Sequence, residues 1–184
     1  MVPDAYRGGG PIGIVAAQWL RIRGADEVAV ADIDPAKLDF AAKMGFEPLN
    51  TGGPTSVSAA GTRDACPYQY EVVVEACGLG ATRDMAVERC ARRGVVSFIG
   101  NPTDNWTFAK QLFSSVLRKE LTMRGNWNSV PDPDWHEVLA HAGKDLDLKS
   151  LVTARVPMSD GAAAFARILA HEGFHCKTLL VTNN

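Results

Sequence analysis

The chain has no apolar run approaching the ~18 residues that a membrane-spanning helix needs. It has no basic excess: 19 Lys and Arg stand against 21 Asp and Glu, a net charge of −2. A nucleic-acid binder usually carries a clear positive surplus, so that partner class is not expected. Cysteine is scarce, and Cys66, Cys77, Cys90 and Cys176 show no C-x-x-C spacing. This predicts reduced, mostly buried thiols rather than a disulfide framework or a zinc lobe. The first ten residues lack the charged start and apolar core of a secretory leader, and a cytoplasmic location is expected. No internal repeat and no low-complexity tract stands out. With 184 residues and 46% apolar content, one domain with an appendage is expected.

What is present is an alternation of short apolar runs and helical patterns. Pro11 suits a first helical turn, the stretch Ile12–Ile22 is apolar, and Gly24 suits a stop. Glu27–Asp32 is a short strand-like run. Asp34-Pro35 looks like a cap and a first-turn proline, opening a helix that Gly45 ends. Phe46–Leu49 is a weak third strand, and Thr51–Pro67 reads mostly as loop. Glu71–Glu75 and Val95–Ile99 are runs so apolar at their centres that both faces should be buried. Between them Ala81–Arg93 reads as helix with Gly94 at its end. Phe108–Glu120 is helical and Leu121–Arg124 a strand. After Trp127 the rhythm changes: helices near Asp134–Ala142 and Asp160–Ala170, strands near Ala154–Pro157 and Cys176–Val181. The expected class is α/β, a Rossmann-type doubly wound parallel sheet. Residues 8–128 form its nucleotide-binding domain and 129–184 a connecting helix and C-terminal piece.

Gly8, Gly10 and Gly13 fit G-x-G-x-x-G. The first glycine permits a tight turn, the second close approach to a pyrophosphate, and the third close packing of helix on sheet. The helix behind offers unpaired N–H groups and a positive dipole end. Asp32 lies 19 residues beyond Gly13, where this fold needs a carboxylate for the adenosine ribose hydroxyls. A carboxylate there repels a 2′-phosphate, so NAD is expected over NADP. The plainer alternative is that Asp32 only caps a turn with Asp34. One feature does not fit. A strand should lead into this turn, yet Met1–Arg7 carries Pro3, Asp4 and Arg7, costly residues for a central strand. The first strand is therefore expected to be degraded, as if the natural beginning were missing or altered.

From Gly8 onward the sequence resembles the coenzyme-binding half of the zinc-dependent medium-chain dehydrogenases, within them the polyol branch. The matching pieces are GGGPIG (8–13), VADIDPAKL (30–38), VVVEACG (72–78), VVSFIG (95–100) and LRKELTMRGNW (117–127), the most specific. The resemblance implies that Gly10, Pro11 and Ile12 lie against the pyrophosphate. It implies that Asp32 and Lys37 hold the adenosine ribose, and that Ala76 and Cys77 flank the adenine side. Ile99, Gly100, Asn126 and Trp127 would line the nicotinamide end. For Ile99 and Cys77 the alternative is core packing. Ala154–Val181 resembles a segment that returns to complete the family's catalytic domain. The family's other half carries the catalytic zinc ligands and a structural zinc lobe, and neither pattern stands in this sequence. No catalytic residue and no metal ligand is expected here. The implied reaction is NAD-dependent oxidation of a small polyol, a sugar alcohol or its phosphate, given a complete catalytic domain. Relatives imply a homo-oligomer. The second reading is a non-catalytic nucleotide-binding or interaction module, and a third an adenosyl-methionine methyltransferase with a similar turn.

Several decoys need weighing. His171-Glu172-Gly173-Phe174-His175 is a literal H-E-x-x-H, but Gly173 argues against the continuous helix that zinc chemistry requires. His136 and His141 need not share a face. Met85, Met123 and Met158 are expected in the core. The Ser114-Ser115 pair reads as helical filler. For the chain by itself, exposed apolar surface is expected.

Overall fold

The computed structural model describes residues 4–52 and 69–182, and of residues 4–7 only the main chain. Of the predicted loop Thr51–Pro67, all but Thr51 and Gly52 lie outside the described residues, and so does the thiol of Cys66.

Six strands form one sheet: β1 (Asp4–Arg7), β2 (Val28–Asp32), β3 (Glu47–Asn50), β4 (Tyr70–Glu75), β5 (Cys90–Phe98) and β6 (Thr122–Gly125). Their spatial order is β3-β2-β1-β4-β5-β6, and every neighbouring pair is parallel. The order reverses between β1 and β4, which opens a crevice at the carboxyl ends of those strands. The expected doubly wound sheet is thus observed.

The strand predicted as degraded occupies the centre. Asp4–Arg7 pairs with Val28–Ala31 on one side and its last three residues with Val73–Glu75 on the other. Main-chain N–H and C=O groups make this ladder whatever the side chains are, so unfavourable composition does not prevent the strand from pairing over Asp4–Arg7.

The helices that position the crevice are α1 (Pro11–Ile22), α2 (Pro35–Lys43), α3 (Gly80–Arg89) and α4 (Lys110–Lys119). Alternation along the strands separates two cores. Val28, Val30 and Val74 pack with Ile14, Ala17 and Ala41 on the α1–α2 face. Ala29, Val73 and Val96 pack with Ala86 and Cys90 on the α3 face. Burying a side chain such as Ile14 fully stabilises the fold by about 1.5–3 kcal/mol.

The helix expected over Ala81–Arg93 stops at Arg89 instead, and Cys90 turns extended to pair with Tyr70. Its end is set by a distant residue. The Lys119 ammonium donates to the carbonyls of Val87 (3.4 Å), Glu88 (2.7 Å) and Cys90 (2.9 Å), satisfying the helix's last acceptors. Arg92 and Arg93, expected at a helix end, lie in β5 and pair with Glu120 at 2.7 and 2.9 Å.

Beyond Trp127 come α5 (His136–His141), β7 (Val152–Pro157), α6 (Gly161–Leu169) and β8 (Lys177–Val181), with β7 and β8 forming a separate parallel pair. This part leans on α1. Leu151 and Cys176 join the Ile14 core. The buried Gln18 amide donates to the Asp147 carbonyl (3.1 Å) and accepts from the Asp147 N–H (2.6 Å).

Two expectations about burial fail. Met158 is exposed, because it opens the turn between β7 and α6. Cys77 is also exposed, because it lies two residues past the end of β4 where the chain leaves the sheet, whereas Cys90 and Cys176 are buried as expected. The expected exposed apolar surface is present, with Ile12, Leu139, Phe165 and Leu169 among the exposed side chains.

Candidate functional site

The sequence-predicted site residues come to one edge of the sheet, the carboxyl ends of its strands. Gly8 follows β1, and its φ of +113° is a left-handed value suited to glycine. Its N–H donates to the Ala31 carbonyl at 2.9 Å, which bends the chain from β1 toward α1. Gly10 is the N-cap of α1, Pro11 is its first residue, and no side chain caps the helix start. A Cβ built on Gly10 meets nothing within 4 Å. The first turn therefore presents an uncapped dipole end to open space, the arrangement that receives an anion. Gly13 is buried at the helix–sheet contact, while Ile12 is exposed beside the opening.

Asp32 ends β2 beside this turn. Its side chain is only 8% exposed. One oxygen accepts from the Gly9 N–H at 2.9 Å and the other from the Ile33 and Asp34 N–H groups at 2.8 and 3.0 Å. The Lys37 ammonium stands 3.5 Å away. The carboxylate is thus preorganised by main-chain donors, one of them from the glycine turn itself. The alternative of a mere turn cap describes two of its three hydrogen bonds: Oδ1 caps the Ile33–Asp34 turn, and Oδ2 joins that turn to the glycine loop. Asp34 separately caps α2 through the Ala36 N–H (2.9 Å), as its sequence position predicts.

On the other side of the switch point, Ala76 and Cys77 leave β4, and Ile99 and Gly100 leave β5. Ile99 and Gly100 donate to the Glu75 carbonyl at 2.9 and 3.0 Å. Ile99 also packs against the Ile14 core, so the core-packing alternative holds for part of its surface. Asn126 follows β6, its N–H donating to the Phe98 carbonyl (2.9 Å) and its amide to the Ser97 hydroxyl (2.8 Å). Trp127 is 77% exposed and is the predicted site residue least tied to the others.

Sequence reasoning missed three residues. Gly9, a free position of the motif, donates the bond that fixes Asp32. Ile33, 70% exposed, offers an apolar surface directly after Asp32; its place between Asp32 and Asp34 is the signal the sequence offers. Glu75, closing β4 directly after three valines, is fully buried.

The decoys resolve plainly. α6 ends at Leu169, His171 takes a left-handed φ of +53°, and the His175 ring bonds the Glu172 carbonyl at 2.8 Å. The H-E-x-x-H run is a helix-ending turn. His141 pairs with Asp145 at 2.8 Å. Ser115 bonds back to the Gln111 carbonyl within α4. A cleft of about 620 Å³ lined by Gln18, Arg21, Lys43, Asp145 and Asp147 lies toward the other end of α1, away from the glycine turn.

The site's geometry fits a dinucleotide: an uncapped helix start, open space over Gly10 and a preorganised carboxylate one strand away. It does not fit zinc. Among the described residues no group of three or more His, Cys, Asp or Glu side chains could hold a metal ion.

The family model for zinc-binding dehydrogenases matches residues 11–144. The chain belongs to the zinc-binding dehydrogenase family. It is 25% identical over 158 residues to L-threonine 3-dehydrogenase of Saccharopolyspora erythraea, covering 86% of this chain and 45% of that protein. Galactitol-1-phosphate dehydrogenase from Escherichia coli superposes with a TM-score of 0.77 at 26% identity, covering 98% of this chain and 53% of that one. Two solved relatives carry coenzyme. An alcohol dehydrogenase from E. coli holds NADH (TM-score 0.79, 18% identity, 98% and 52% covered). A zinc-binding dehydrogenase from Sinorhizobium meliloti holds NADP (TM-score 0.73, 18% identity, 98% and 51% covered). At that identity both show the shared fold alone. The chain spans about half the length of the curated relatives it matches. No described helix of this family member is long and apolar enough to cross a membrane.

Proposed function

We propose that this chain is the NAD-binding portion of an alcohol dehydrogenase acting on a small polyol, a sugar alcohol or its phosphate. The observation that carries the reading is Asp32, held by three main-chain N–H groups at the end of β2 beside the open glycine turn. NAD, when bound, supplies the acceptor for a hydride from the alcohol carbon. The chain's own residues bind and orient. The start of α1 at Gly10, Pro11 and Ile12 faces the pyrophosphate. Asp32 and Lys37 take the adenosine ribose, Ala76 and Cys77 the adenine side, and Ile99, Gly100, Asn126 and Trp127 the nicotinamide end.

Coenzyme choice follows from charge. Asp32 repels a 2′-phosphate, and Lys37 offsets this only in part, because its side chain is 36% exposed and water screens it. A preference for NADH over NADPH of about tenfold, some 1.4 kcal/mol, is expected. Titration calorimetry with both coenzymes, on the chain and on Asp32→Asn, tests this. The substitution should narrow the preference. A folded chain that binds neither coenzyme would sink the assignment.

A second reading, a nucleotide-binding module without catalysis of its own, draws on the lack of a metal-holding cluster among the described residues. Oxidation of a polyol with NAD by the purified chain would eliminate it.

A further inference from the structure

Glu75 is a fully buried polar side chain beneath the loops of the candidate site. It stands at the last position of β4, directly after Val72–Val74. One carboxylate oxygen, Oε1, accepts three bonds: the Cys77 N–H, the Gly78 N–H and the Thr82 hydroxyl, each at 2.8 Å. The other, Oε2, is buried with no hydrogen-bond partner. The same residue's main-chain carbonyl accepts the Ile99 and Gly100 N–H groups. A single residue therefore ties the turn after β4 to the loop after β5.

The two loops meet with no room for side chains between them. A Cβ on Gly100 would sit 2.4 Å from the Gly78 nitrogen and 2.8 Å from Glu75 Oε2. A Cβ on Gly78 would sit 1.9 Å from the Asn101 carbonyl oxygen. The Gly78 carbonyl in turn accepts from the Thr103 N–H (3.1 Å) and the buried Arg83 guanidinium (2.5 Å). An unpaired buried carboxylate oxygen costs stability. Fold stability alone gives no reason for a carboxyl group here, since an amide oxygen could accept the same three bonds. A carboxylate makes those bonds stronger than a neutral acceptor does, and so holds the turn more rigidly.

We infer that Glu75 is a positioning residue of the coenzyme seat: its carboxylate and carbonyl together fix Ala76–Cys77 against Ile99–Gly100, so that both loops meet the coenzyme as one surface. This rests on the NAD-binding reading above. Glu75 touches no coenzyme atom itself, because it lies wholly beneath the loops.

The test compares NADH and AMP on the full chain, its Glu75→Ala and Glu75→Gln variants, below the melting temperature of each. AMP reports the glycine turn, Asp32 and the Ala76–Cys77 side alone, whereas NADH also needs that side held in register with Ile99–Gly100. Glu75→Ala should weaken NADH at least tenfold and AMP distinctly less, so that the ratio of the two affinities falls. Glu75→Gln keeps an acceptor for all three donors and should restore NADH binding to within about threefold. An unchanged ratio in Glu75→Ala, or a glutamine variant no better than alanine, overturns the inference. If Glu75→Ala does not fold, Thr82→Val removes one of the three donors and should lower the same ratio about threefold; no change there overturns it equally. If the unmodified chain binds neither AMP nor NADH, it is the NAD-binding reading that fails.

Discussion

Two glycines of the site should respond to the same substitution in opposite ways. Gly10 has φ −76° and ψ 176°, a backbone any residue adopts, and its missing Cβ would point into open space. For folding, Gly10→Ala loses a favourable N-cap glycine and gains by stiffening the unfolded chain. Both effects are about 0.4–1 kcal/mol and of opposite sign. The net change should stay within ~1 kcal/mol, or about 2–4 °C in Tm for a chain of this size. For binding, the new methyl occupies the space that the pyrophosphate must enter. Losing one or two charge-assisted bonds at about 1.5–3 kcal/mol each lowers NADH affinity by about tenfold to about ten-thousandfold. Gly78 is the reverse case. It stands at φ +82°, and its Cβ would meet the Asn101 carbonyl carbon at 2.7 Å as well as its oxygen. A left-handed alanine costs about 1–2 kcal/mol, and forced repacking adds about 1–3. Gly78→Ala should therefore lower Tm by at least about 5 °C. Thermal melts and NADH titrations on both variants decide the matter. A Gly10→Ala variant that melts like Gly78→Ala, or that binds NADH like the parent chain, would refute the reasoning.

Other consequences follow from charge and exposure. Burial pushes the Cys90 thiol up to about 11, so peptide mapping after alkylation at pH 8 should find it unmodified. The exposed Cys77 should react readily, and NADH should slow it; equal labelling of the two would contradict the assigned burial. Bonds from Arg92 and Arg93 hold the Glu120 carboxyl below its ordinary 4.5, and a Ser150 bond holds Asp147 below its ordinary 3.8. Folded values below unfolded ones mean that this stabilisation is complete above about pH 4.5 and is lost as pH falls through the folded values. Tm should hold steady down to that pH and then decline; a Tm that rises on acidification below pH 4 would show the sign to be wrong.

Much of this architecture was legible in the residues because the signals were local. Pro11 and Asp34-Pro35 mark helix starts by capping chemistry, and the valine-rich runs of β4 and β5 mark strands buried on both faces. The glycine spacing and Asp32 place an anion-binding turn and a carboxylate on adjacent strands before any geometry is known. What was not legible depended on distant partners. The end of α3 is set by Lys119, thirty residues further along the chain, and no periodicity records that bond. β1 forms because β2 and β4 offer main-chain partners on both sides, whatever Asp4 and Arg7 contribute to propensity. Glu75 was hidden for a similar reason. In sequence it is one charge closing an apolar run, and only the crossing of two loops shows what its carboxylate holds.

The central claim is that coenzyme sits on the glycine turn beside Asp32. Amide chemical-shift mapping of the isotope-labelled chain during an NADH titration tests it most directly. The account predicts saturable shifts at Gly9, Gly10, Ile12, Gly13 and Asp32, reaching Gly100 at the other side of the switch point. Shifts confined to the cleft around Gln18, Arg21 and Asp147, or none at saturating NADH, would contradict it.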